Sequence, residues 1–460
     1  MATSTFTGRN YCRRQRPVAP STSATHLRAP SATVGGRTVW GMGWDQLAAG
    51  VELPFDPSIT VPELHEVALD GPSAPPIADV AAAAQATVVD VLAPDVTAGM
   101  TVAVGGGSRG LTGRVELLRG TIAGLRELAA EPFVVPAMGS HGGATADGQR
   151  AMLEHLGLTE ASVAAEIRAT METEVVATTP DGMPLYLDRY AAGADRILPV
   201  NRVKPHTCFK GPIESGCTKM AVVGFGKQPG AAQIHACGPV EMRERLSAGI
   251  EALRKSGRLL GGVASVESMT DDVVAVQALT ATDVGGPGEV ELTEFARTFV
   301  PTLPFTDIDV LIVEQGGKDI SGTTMDPNVT GRFWVNGLAD FEQPAVKAIV
   351  LLDLTDVSEG NALGVGFADF IPAALANRID WPKTYINGFT AGPSGLRRSR
   401  LPMVLPDEAS CIRAALQMCG VGFDHPKRVV RIRSTLHLTR AWVSEAVLAD
   451  LPASAQPVGG

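Results

Sequence analysis

The chain has 460 residues, of which 45% are hydrophobic and 19% are charged, a composition typical of folded globular proteins. Its length exceeds what one ordinary core accommodates, so two domains are expected. The formal net charge of -10 argues against a nucleic-acid partner, because phosphate binding requires a basic face. The apolar runs are too short to span a bilayer, and the cysteines form no CxxC pair. We therefore expect a cytoplasmic protein with reduced thiols and no membrane partner.

Residues 1–39 differ in composition from the rest of the chain. They contain six arginines and many Ser and Thr, but neither Asp nor Glu. Such a composition is typical of a transit peptide and also of a disordered or mis-started N-terminus, which is the interpretation we favour. A secretory signal is not expected, because no apolar stretch follows the arginines. Residues 1–45 are therefore excluded from the predicted fold as an N-terminal extension.

The folded part begins with an alternation of helices and strands. Residues 77–91 are rich in Ala and lack internal Pro and Gly, which predicts a helix. The next predicted elements are a strand at residues 100–104, a glycine loop at 105–110, a helix at 113–130, a strand at 132–136 and a helix at 146–156. Alternation of this kind is typical of a parallel sheet with crossover helices.

The alternation continues along the second half of the chain. Residues 174–178 and 196–200 are predicted strands, and residues 240–256 are a predicted helix. A turn-rich passage at residues 283–288 indicates a domain transition. The remaining predicted elements are a β-rich stretch at 261–279, strands at 308–314, 348–354 and 428–432, and a helix at 407–419.

These elements predict an α/β protein of two domains, each with a largely parallel sheet flanked by helices. We assign residues 46–290 to an N-terminal catalytic domain, residues 291–450 to a C-terminal domain and residues 451–460 to a tail. Ligands of such sheets bind outside the carboxyl ends of the strands. Residues in the loops that follow strands are therefore the first candidates for chemistry.

The first such loop, at residues 105–110, matches the pattern GxGxxG between a strand and a helix. This is the dinucleotide fingerprint in its usual context. The fingerprint also requires a carboxylate at the tip of the second strand, and the sequence there is PAMGSHGG. We therefore interpret Arg109 as the functional residue of the loop, a bidentate clamp for a carboxylate or phosphate. The alternative is a solvated arginine on a turn.

His141 lies in GSHGGAT, where small residues let a ligand approach the backbone. A lone histidine is usually a surface or packing residue. This one is flanked by glycine at the carboxyl end of a strand, where it is exposed to whatever binds. We interpret it as a general acid or base.

Residues 201–238 hold the densest cluster of candidates. His206 follows Pro205, Lys219 ends the loop GPIESGCTK, and His235 lies in QIHACG. Main-chain N–H groups of the loop are suited to a phosphate, although the P-loop pattern is absent. Lys219, enclosed by apolar residues, is a candidate nucleophile or covalent anchor, the alternative being a solvated lysine at a loop end. The spacing of the histidines and cysteines does not favour a structural zinc site.

Two histidines and an arginine together suggest racemisation or epimerisation. One base removes a proton from one face of a carbon and the other base returns a proton to the opposite face. The α-hydrogen of a 2-hydroxy acid is weakly acidic, so its transfer as hydride to a cofactor is the more credible route.

Five residues, in this order and with similar separations, resemble the pattern of a known family: Arg109 in GGGSR, His141 in GSHGG, His206 in KPH, Lys219 in ESGCTK and His235 in QIH. The chain is similar, over residues 67–430, to the nickel-dependent lactate racemases, enzymes that use the nickel-pincer nucleotide. A series of five residues at strand ends is a more specific signal than any one of them.

The resemblance implies a role for each of these residues. Lys219 would be tethered to the nickel-pincer nucleotide, and His235 would ligate the nickel. His141 and His206 would be the two acid/bases that handle the proton of the substrate hydroxyl, while the cofactor ring takes and returns the α-hydrogen as hydride. Arg109 would hold the substrate carboxylate.

The resemblance also implies contacts around the cofactor. Ser215, Gly216 and Thr218 would contact its phosphate, and the site would lie in the cleft between the two domains. The enzymes that make the cofactor would be partners of the chain.

Three departures from the family pattern concern the substrate pocket. Gly106 stands where the family has an acidic residue, and a few extra residues before the anchor lysine would bring Lys210 into the site. After GGKDIS, in which Lys318 is a candidate substrate ligand, Thr323 and Thr324 replace larger family residues. We therefore expect a 2-hydroxy acid larger or more polar than lactate.

The sequence thus predicts a racemase or epimerase of a 2-hydroxy acid, a small-molecule substrate. Two alternatives stay open, an NAD-type oxidoreductase that uses residues 105–110 and a non-catalytic sensor of a small acid or nucleotide. Two bases count against the sensor, because binding alone needs one partner at each hydroxyl. Metal-assisted hydrolysis at His235 has no supporting set of carboxylate ligands.

Overall fold

The computed structural model describes residues 33–34, 37–38, 43–49, 52–108, 111–207, 210–235, 238–336 and 338–459. The chain divides into two compact units, Met1–Gly43 and Trp44–Gly460. In the first unit, strand β1 (Thr33–Val34) pairs antiparallel with strand β2 (Arg37–Thr38). Most of the predicted extension at residues 1–45 lies outside the described residues.

The second unit contains the strands and helices of the α/β fold. Its strands are β3 (Leu64–Leu69), β4 (Thr101–Gly106), β5 (Glu131–Pro136), β6 (Thr173–Thr178), β7 (Pro184–Asp188), β8 (Arg196–Arg202), β9 (Gly261–Glu267), β10 (Val273–Thr280), β11 (Asp307–Gly316), β12 (Ala345–Leu354), β13 (Phe370–Pro372), β14 (Met403–Leu405), β15 (Val429–Ile432), β16 (Arg440–Ser444) and β17 (Ala455–Pro457). Its helices are α1 (Trp44–Ala49), α2 (Val80–Leu92), α3 (Arg114–Glu127), α4 (Ala146–His155), α5 (Glu160–Val163), α6 (Arg189–Gly193), α7 (Cys217–Lys219), α8 (Lys227–His235), α9 (Gly238–Lys255), α10 (Pro287–Arg297), α11 (Pro327–Thr330), α12 (Ala373–Arg378), α13 (Trp381–Thr390), α14 (Pro393–Arg398), α15 (Glu408–Met418) and α16 (Glu445–Leu448).

The first sheet has the strand order β10-β9-β8-β4-β5, in which β10 is antiparallel to β9 and the other pairs are parallel. Alternate residues of its strands point to opposite cores, because successive side chains of a strand face opposite sides. Val102 and Val104 belong to the core formed with α2 and α3, whereas Ala103 belongs to the core that contains Phe225. The carboxyl ends of β5, β4 and β8 therefore lie side by side.

The second sheet has the order β14-β13-β12-β11-β15-β16-β3-β17. The strands are parallel from β14 to β15 and antiparallel from β15 to β17. Although β3 precedes every strand of the first sheet, it pairs with β16 and β17. The second sheet thus takes strands from both predicted domains, residues 46–290 and 291–450, and from the predicted tail at residues 451–460. The domain boundaries themselves stay a prediction.

The predicted fold class, α/β with parallel sheets flanked by helices, is confirmed. The strand predicted at residues 132–136 is Glu131–Pro136, and the helix predicted at residues 146–156 is Ala146–His155. The sequence pattern misses β3 and does not foresee the antiparallel end of the second sheet. Within the described part of the chain, helices long and apolar enough to cross a membrane are absent.

Two glycines of α3 allow this helix to pack closely on α2. A Cβ on Gly120 would lie 2.1 Å from the carbonyl oxygen of Ala81, and one on Gly124 would lie 2.8 Å from Cγ1 of Val88. Atoms this close repel each other, so a side chain at either position would push the helices apart. The helix pair covers one face of the first sheet, and the Phe225 core covers the other.

Gly120→Ala should lower the free energy of unfolding by about 1–3 kcal/mol, because overpacking outweighs the better helix propensity of alanine. Urea unfolding followed by circular dichroism measures the change. Gly193→Ala is the matched control, since a Cβ on Gly193 has no heavy atom within 4 Å. Equal stability of the two variants would contradict the close packing of α2 on α3.

Candidate active site

Three adjacent parallel strands bring candidate residues to one edge of the first sheet. The loop after β4 carries Ser108, the loop after β5 carries His141, and the loop after β8 carries His206. Since β5, β4 and β8 are neighbours, the three loops meet at the carboxyl edge, where ligands of parallel sheets bind.

The ring of His141 is bonded to Ser108, whose Oγ lies 2.5 Å from Nδ1. A hydroxyl group can donate to a ring nitrogen or accept from it, so this partner suits a histidine that gains and loses a proton. The loop is tight, with φ of +66° at Gly142 and +65° at Gly143. Ser108 is not among the residues that the sequence pattern predicts in the site, although its place in the loop after β4 is a signal that could have found it.

The ring of His206 contacts Lys219, with 2.6 Å between Nε2 and Nζ. One of these two nitrogens donates a hydrogen to the other, and the direction depends on which ring nitrogen of His206 carries the proton. The N–H of His206 donates to Oε2 of Glu214 at 2.7 Å. Glu214 is buried and pairs with Nη2 of Arg297 at 2.9 Å. A buried, paired carboxylate therefore holds the loop that carries His206.

Lys219 ends the short helix α7, which continues as a π-helix over Met220–Gly224. The residue before it, Thr218, is fixed by Glu289. The N–H of Thr218 donates to Oε1 at 3.0 Å, and its hydroxyl donates to Oε2 at 2.5 Å. Glu289 is fully buried, and burial raises the pKa of its carboxyl group. These bonds set the start of the helix and hence the position of Lys219.

The loop before α7 is predicted to contact a phosphate. The hydroxyl of Ser215 donates to the carbonyl oxygen of Lys204 at 2.5 Å and accepts from its N–H at 2.7 Å. Gly216 has a φ of +87°, and a Cβ there would lie 2.6 Å from Oε1 of Glu289. Together with the contact of Thr218 to Glu289, these bonds shape the loop. Phosphate binding by Ser215, Gly216 and Thr218 stays a prediction.

His235 is the last residue of α8. The residue as a whole is exposed, but its ring is largely desolvated, and this is the main reason why its pKa is lowered to about 4. The charges of Lys219 and His141 act in the same direction and are the smaller causes. The imidazole is therefore neutral at pH 7 and retains a lone pair for a metal ion. The electrostatic effect of Lys219 and His141 on this ring indicates that the three side chains lie near one another.

The described residues contain no group of three or more His, Cys, Asp or Glu that could hold a metal ion.

The predicted substrate ligands have varied surroundings. Arg109 lies outside the described residues. Nζ of Lys318 donates to a carbonyl oxygen and to Oδ1 of Asn387, each at 2.7 Å. Thr323 and Thr324 are buried, and their hydroxyls donate to main-chain carbonyl oxygens. Both hydroxyls have a structural role here, and substrate binding by these residues stays a prediction.

Two cations connect the loop after β8 with the elements around the second sheet. Nζ of Lys210 donates to Oδ1 of Asn328 in α11 at 3.2 Å. Arg398 of α14 is buried, and its Nη2 donates to the carbonyl oxygen of Thr207 at 2.8 Å. Lys210, which the sequence pattern predicts in the site, thus connects this loop to α11, a helix beside the second sheet.

No protein-family model and no curated protein matches the sequence. Two solved structures resemble the fold in part. The lactate racemase apoprotein from Thermoanaerobacterium thermosaccharolyticum aligns with a TM-score of 0.48 and 14% identity over 81% of this chain and 98% of that chain. The crystal structure of a protein from Thermotoga maritima aligns with a TM-score of 0.45 and 11% identity over 69% of this chain and 83% of that chain. A likeness at this level assigns neither a family nor an activity.

Lys219→Met should raise the pKa of His235 from about 4 toward its ordinary value of 6.5, because a neighbouring positive charge is removed. Desolvation remains, so the pKa should stay below 6.5. In the wild type, between pH 6.5 and a pH of about 4, His235 is protonated in the unfolded state but neutral in the folded state. Protonation therefore favours the unfolded state, and the free energy of unfolding falls as the pH falls through this window. NMR titration of labelled histidine rings measures the shift.

Lys255→Met is the control for this titration. Lys255 is exposed and pairs with Glu251 at 3.4 Å, so its removal should leave the pKa of His235 unchanged. If Lys219→Met also left it unchanged, the charge of Lys219 would not be the neighbour that acts on His235.

Proposed function

We propose that the chain is a racemase or epimerase of a 2-hydroxy acid that works by reversible hydride transfer to a nickel-pincer nucleotide attached covalently to Lys219. The observation that carries the proposal is the 2.6 Å contact between Nζ of Lys219 and Nε2 of His206. Beside this pair stand a second histidine, His141, whose ring is bonded to Ser108, and the neutral His235. The two proposed acid/base groups thus come from the carboxyl edge of the first sheet, and the proposed anchor contacts one of them.

The surroundings of Lys219 suit it to a covalent anchor, because its amine is held in one place. Nζ is hydrogen-bonded to Nε2 of His206. The helix start fixed by Glu289 keeps the amine in this place, because Thr218 immediately precedes Lys219.

The residues present fit a metal carried by an organic cofactor. His235 is neutral at pH 7, and the described residues do not provide a full ligand set of their own. A pincer nucleotide that brings its own donor atoms to nickel would need one nitrogen ligand from the protein and one anchor, which His235 and Lys219 offer. When bound, this cofactor would supply an acceptor that takes the α-hydrogen as hydride and returns it.

His141 and His206 would handle the proton of the substrate hydroxyl. Oxidation of the carbinol carbon requires loss of this proton, and reduction from the opposite face requires its return. Ser108 allows the ring of His141 to act in either protonation state, because a hydroxyl both donates and accepts. Glu214 holds the main chain of His206 by accepting its N–H, which fixes the position from which the ring departs.

For the substrate we propose a hydroxy acid larger or more polar than lactate. Arg109 and Lys318 are cations suited to a carboxylate. Thr323 and Thr324 are smaller than the residues of the family pattern at these positions, which favours a larger substrate. We also propose a cytoplasmic location, since Cys217 and the other described cysteines have free thiols.

The rival reading, an NAD-type oxidoreductase, relies on the glycines of residues 105–110. The first glycine of the pattern has a reason within the chain. A Cβ on Gly105 would lie 2.7 Å from Cε2 of Phe225 and 3.0 Å from Cβ of Ala137. Internal packing therefore accounts for glycine at this position without a bound pyrophosphate.

Production of the chain together with the cofactor-making enzymes tests the proposal. We expect a mass increase that peptide mapping locates on Lys219, bound nickel, and inversion of at least one acid in a panel of chiral 2-hydroxy acids. His141→Ala and His206→Ala should each lower kcat, per bound nickel, by about 10²–10⁴-fold, because each removes an acid/base group. Nickel should stay bound in both variants, since neither residue is the proposed ligand.

His155→Ala is the matched control, because it removes an exposed histidine at the end of α4. It should keep both activity and nickel. An unmodified Lys219 without nickel would contradict the proposal, and loss of nickel in the His141 or His206 variant would mean that ligand and base are exchanged. Activity that needs NAD and is lost in Gly107→Asp but kept in Lys219→Ala would favour the oxidoreductase. Binding of an acid without turnover would favour the sensor.

A further inference from the structure

A buried ion pair, Lys227 with Asp188, has no part in the chemistry proposed above. Nζ of Lys227 lies 2.9 Å from Oδ2 of Asp188, 2.9 Å from Oε1 of Gln149 and 2.5 Å from the carbonyl oxygen of Pro136. The side chains of Lys227 and Asp188 are fully buried. Nζ thus donates hydrogen bonds to Gln149 and Pro136 and forms an ion pair with Asp188, whose Oδ2 accepts no hydrogen bond from the described residues.

This arrangement is costly for the fold. Burial lowers the pKa of Lys227 and raises the pKa of Asp188, because both charged forms lose hydration. Lys227 also has a φ of +50°, in the left-handed region where residues with a Cβ are disfavoured. A buried ion pair seldom adds stability over apolar residues of the same size. The cost therefore points to a role other than holding the fold together.

Two hydrogen-bond partners of Lys227, Gln149 and Pro136, hold the loop that carries His141. Gln149 is fully buried, and its Nε2 donates to the carbonyl oxygens of Gly139 at 2.8 Å and His141 at 3.2 Å. Pro136, whose carbonyl accepts directly from Lys227, is the last residue of β5, from which this loop departs. The ammonium group thus fixes both the start of the loop and the amide that holds it.

The same lysine is the first residue of α8, the helix that ends with His235. Its ion-pair partner Asp188 contacts the segment between Lys219 and α8. The N–H of Asp188 donates to the carbonyl oxygen of Phe225, which follows the π-helix, at 2.7 Å. Lys227 therefore stands where the His141 loop, the segment after Lys219 and the His235 helix are joined.

We propose that Lys227, acting through Gln149, is a positioning residue that holds the ring of His141 against Ser108. The inference rests on the proposed function only for the role of His141 as an acid/base. The hydrogen bonds that carry it belong to the unmodified chain. A displacement of about 1 Å is enough to cost a well-placed catalytic group roughly 10²-fold in rate.

Gln149→Leu tests the proposal, because it breaks the link to the His141 loop and keeps the Lys227–Asp188 pair. Nitrogen-15 NMR of the full, unmodified chain with labelled histidine rings reports the tautomer and hydrogen bonding of His141. We expect Gln149→Leu to give His141 the ring signals of Ser108→Ala, which serves as the reference for the lost contact. Amide hydrogen exchange of the loop should become faster by on the order of tenfold or more.

Arg150→Leu is the matched control. Arg150 follows Gln149 on α4 but donates to the carbonyl oxygen of Ile167 at 2.6 Å, so its loss should leave the ring signals of His141 unchanged. Gln149→Glu covers the case in which Gln149→Leu does not fold. The glutamate keeps an acceptor for Lys227 but lacks the amide group that donates to Gly139 and His141. This variant should therefore also lose the contact between His141 and Ser108. Wild-type His141 signals in a folded Gln149 variant would overturn the proposal.

In the loaded enzyme, Gln149→Leu should lower kcat by about 10²-fold with a smaller change in KM, and nickel should stay bound. The two proposals fail in distinguishable ways. If the wild type carries no modification on Lys219 and inverts no hydroxy acid, the proposed function fails while the ring signals still decide the positioning role. If the loaded wild type is active and Gln149→Leu matches it in ring signals and kcat, only the positioning role fails.

Discussion

The site depends on how closely the segment around Lys219 packs on the carboxyl edge of the first sheet. A Cβ on Gly105 would lie 2.7 Å from Cε2 of Phe225, and one on Gly224 would lie 2.5 Å from the carbonyl oxygen of Ala137. Neither distance allows a side chain, so glycine is required on both surfaces of this contact. Without it, Lys219 would lie farther from the loops that carry the histidines, and the lysine–histidine pair would not form.

Buried carboxylates then hold the loops in place by accepting main-chain N–H groups. Each serves a different segment: Glu214 accepts from His206 and Gly211, Glu289 accepts from Thr218 and Gly285, and Asp188 accepts from Tyr190 and Ala191. Loss of the partners of a buried charge costs about 3–5 kcal/mol, so a loop held in this way is expensive to displace. The loops at the edge of the sheet are thus fixed by groups that lie inside the fold, which leaves their outward side chains for a ligand.

The sequence predicts the parts of this arrangement that depend on local pattern. Apolar strands followed by glycine loops are local signals, so the helices, the parallel strands and the loop positions of His141 and His206 could be inferred. Strand β3 could not, because its partners β16 and β17 lie hundreds of residues away and a strand of six residues carries little pattern of its own. The burial of Thr323 and Thr324 also escapes sequence reasoning, since polar side chains are buried only where main-chain acceptors happen to meet them. Ser108 acquires its partner through the neighbouring strand, which sequence order alone does not give.

The contact between Lys219 and His206 also imposes an order on the proposed function. In the unmodified chain the amine of Lys219 is hydrogen-bonded to Nε2 of His206. In the proposed function an acyl group of the cofactor would be attached to this amine, whose nitrogen would then be neither basic nor positively charged. The charge that helps to keep the pKa of His235 low would be lost with it. The proposed function therefore requires the attachment to come first and the exchange of a proton between His206 and a substrate hydroxyl to follow.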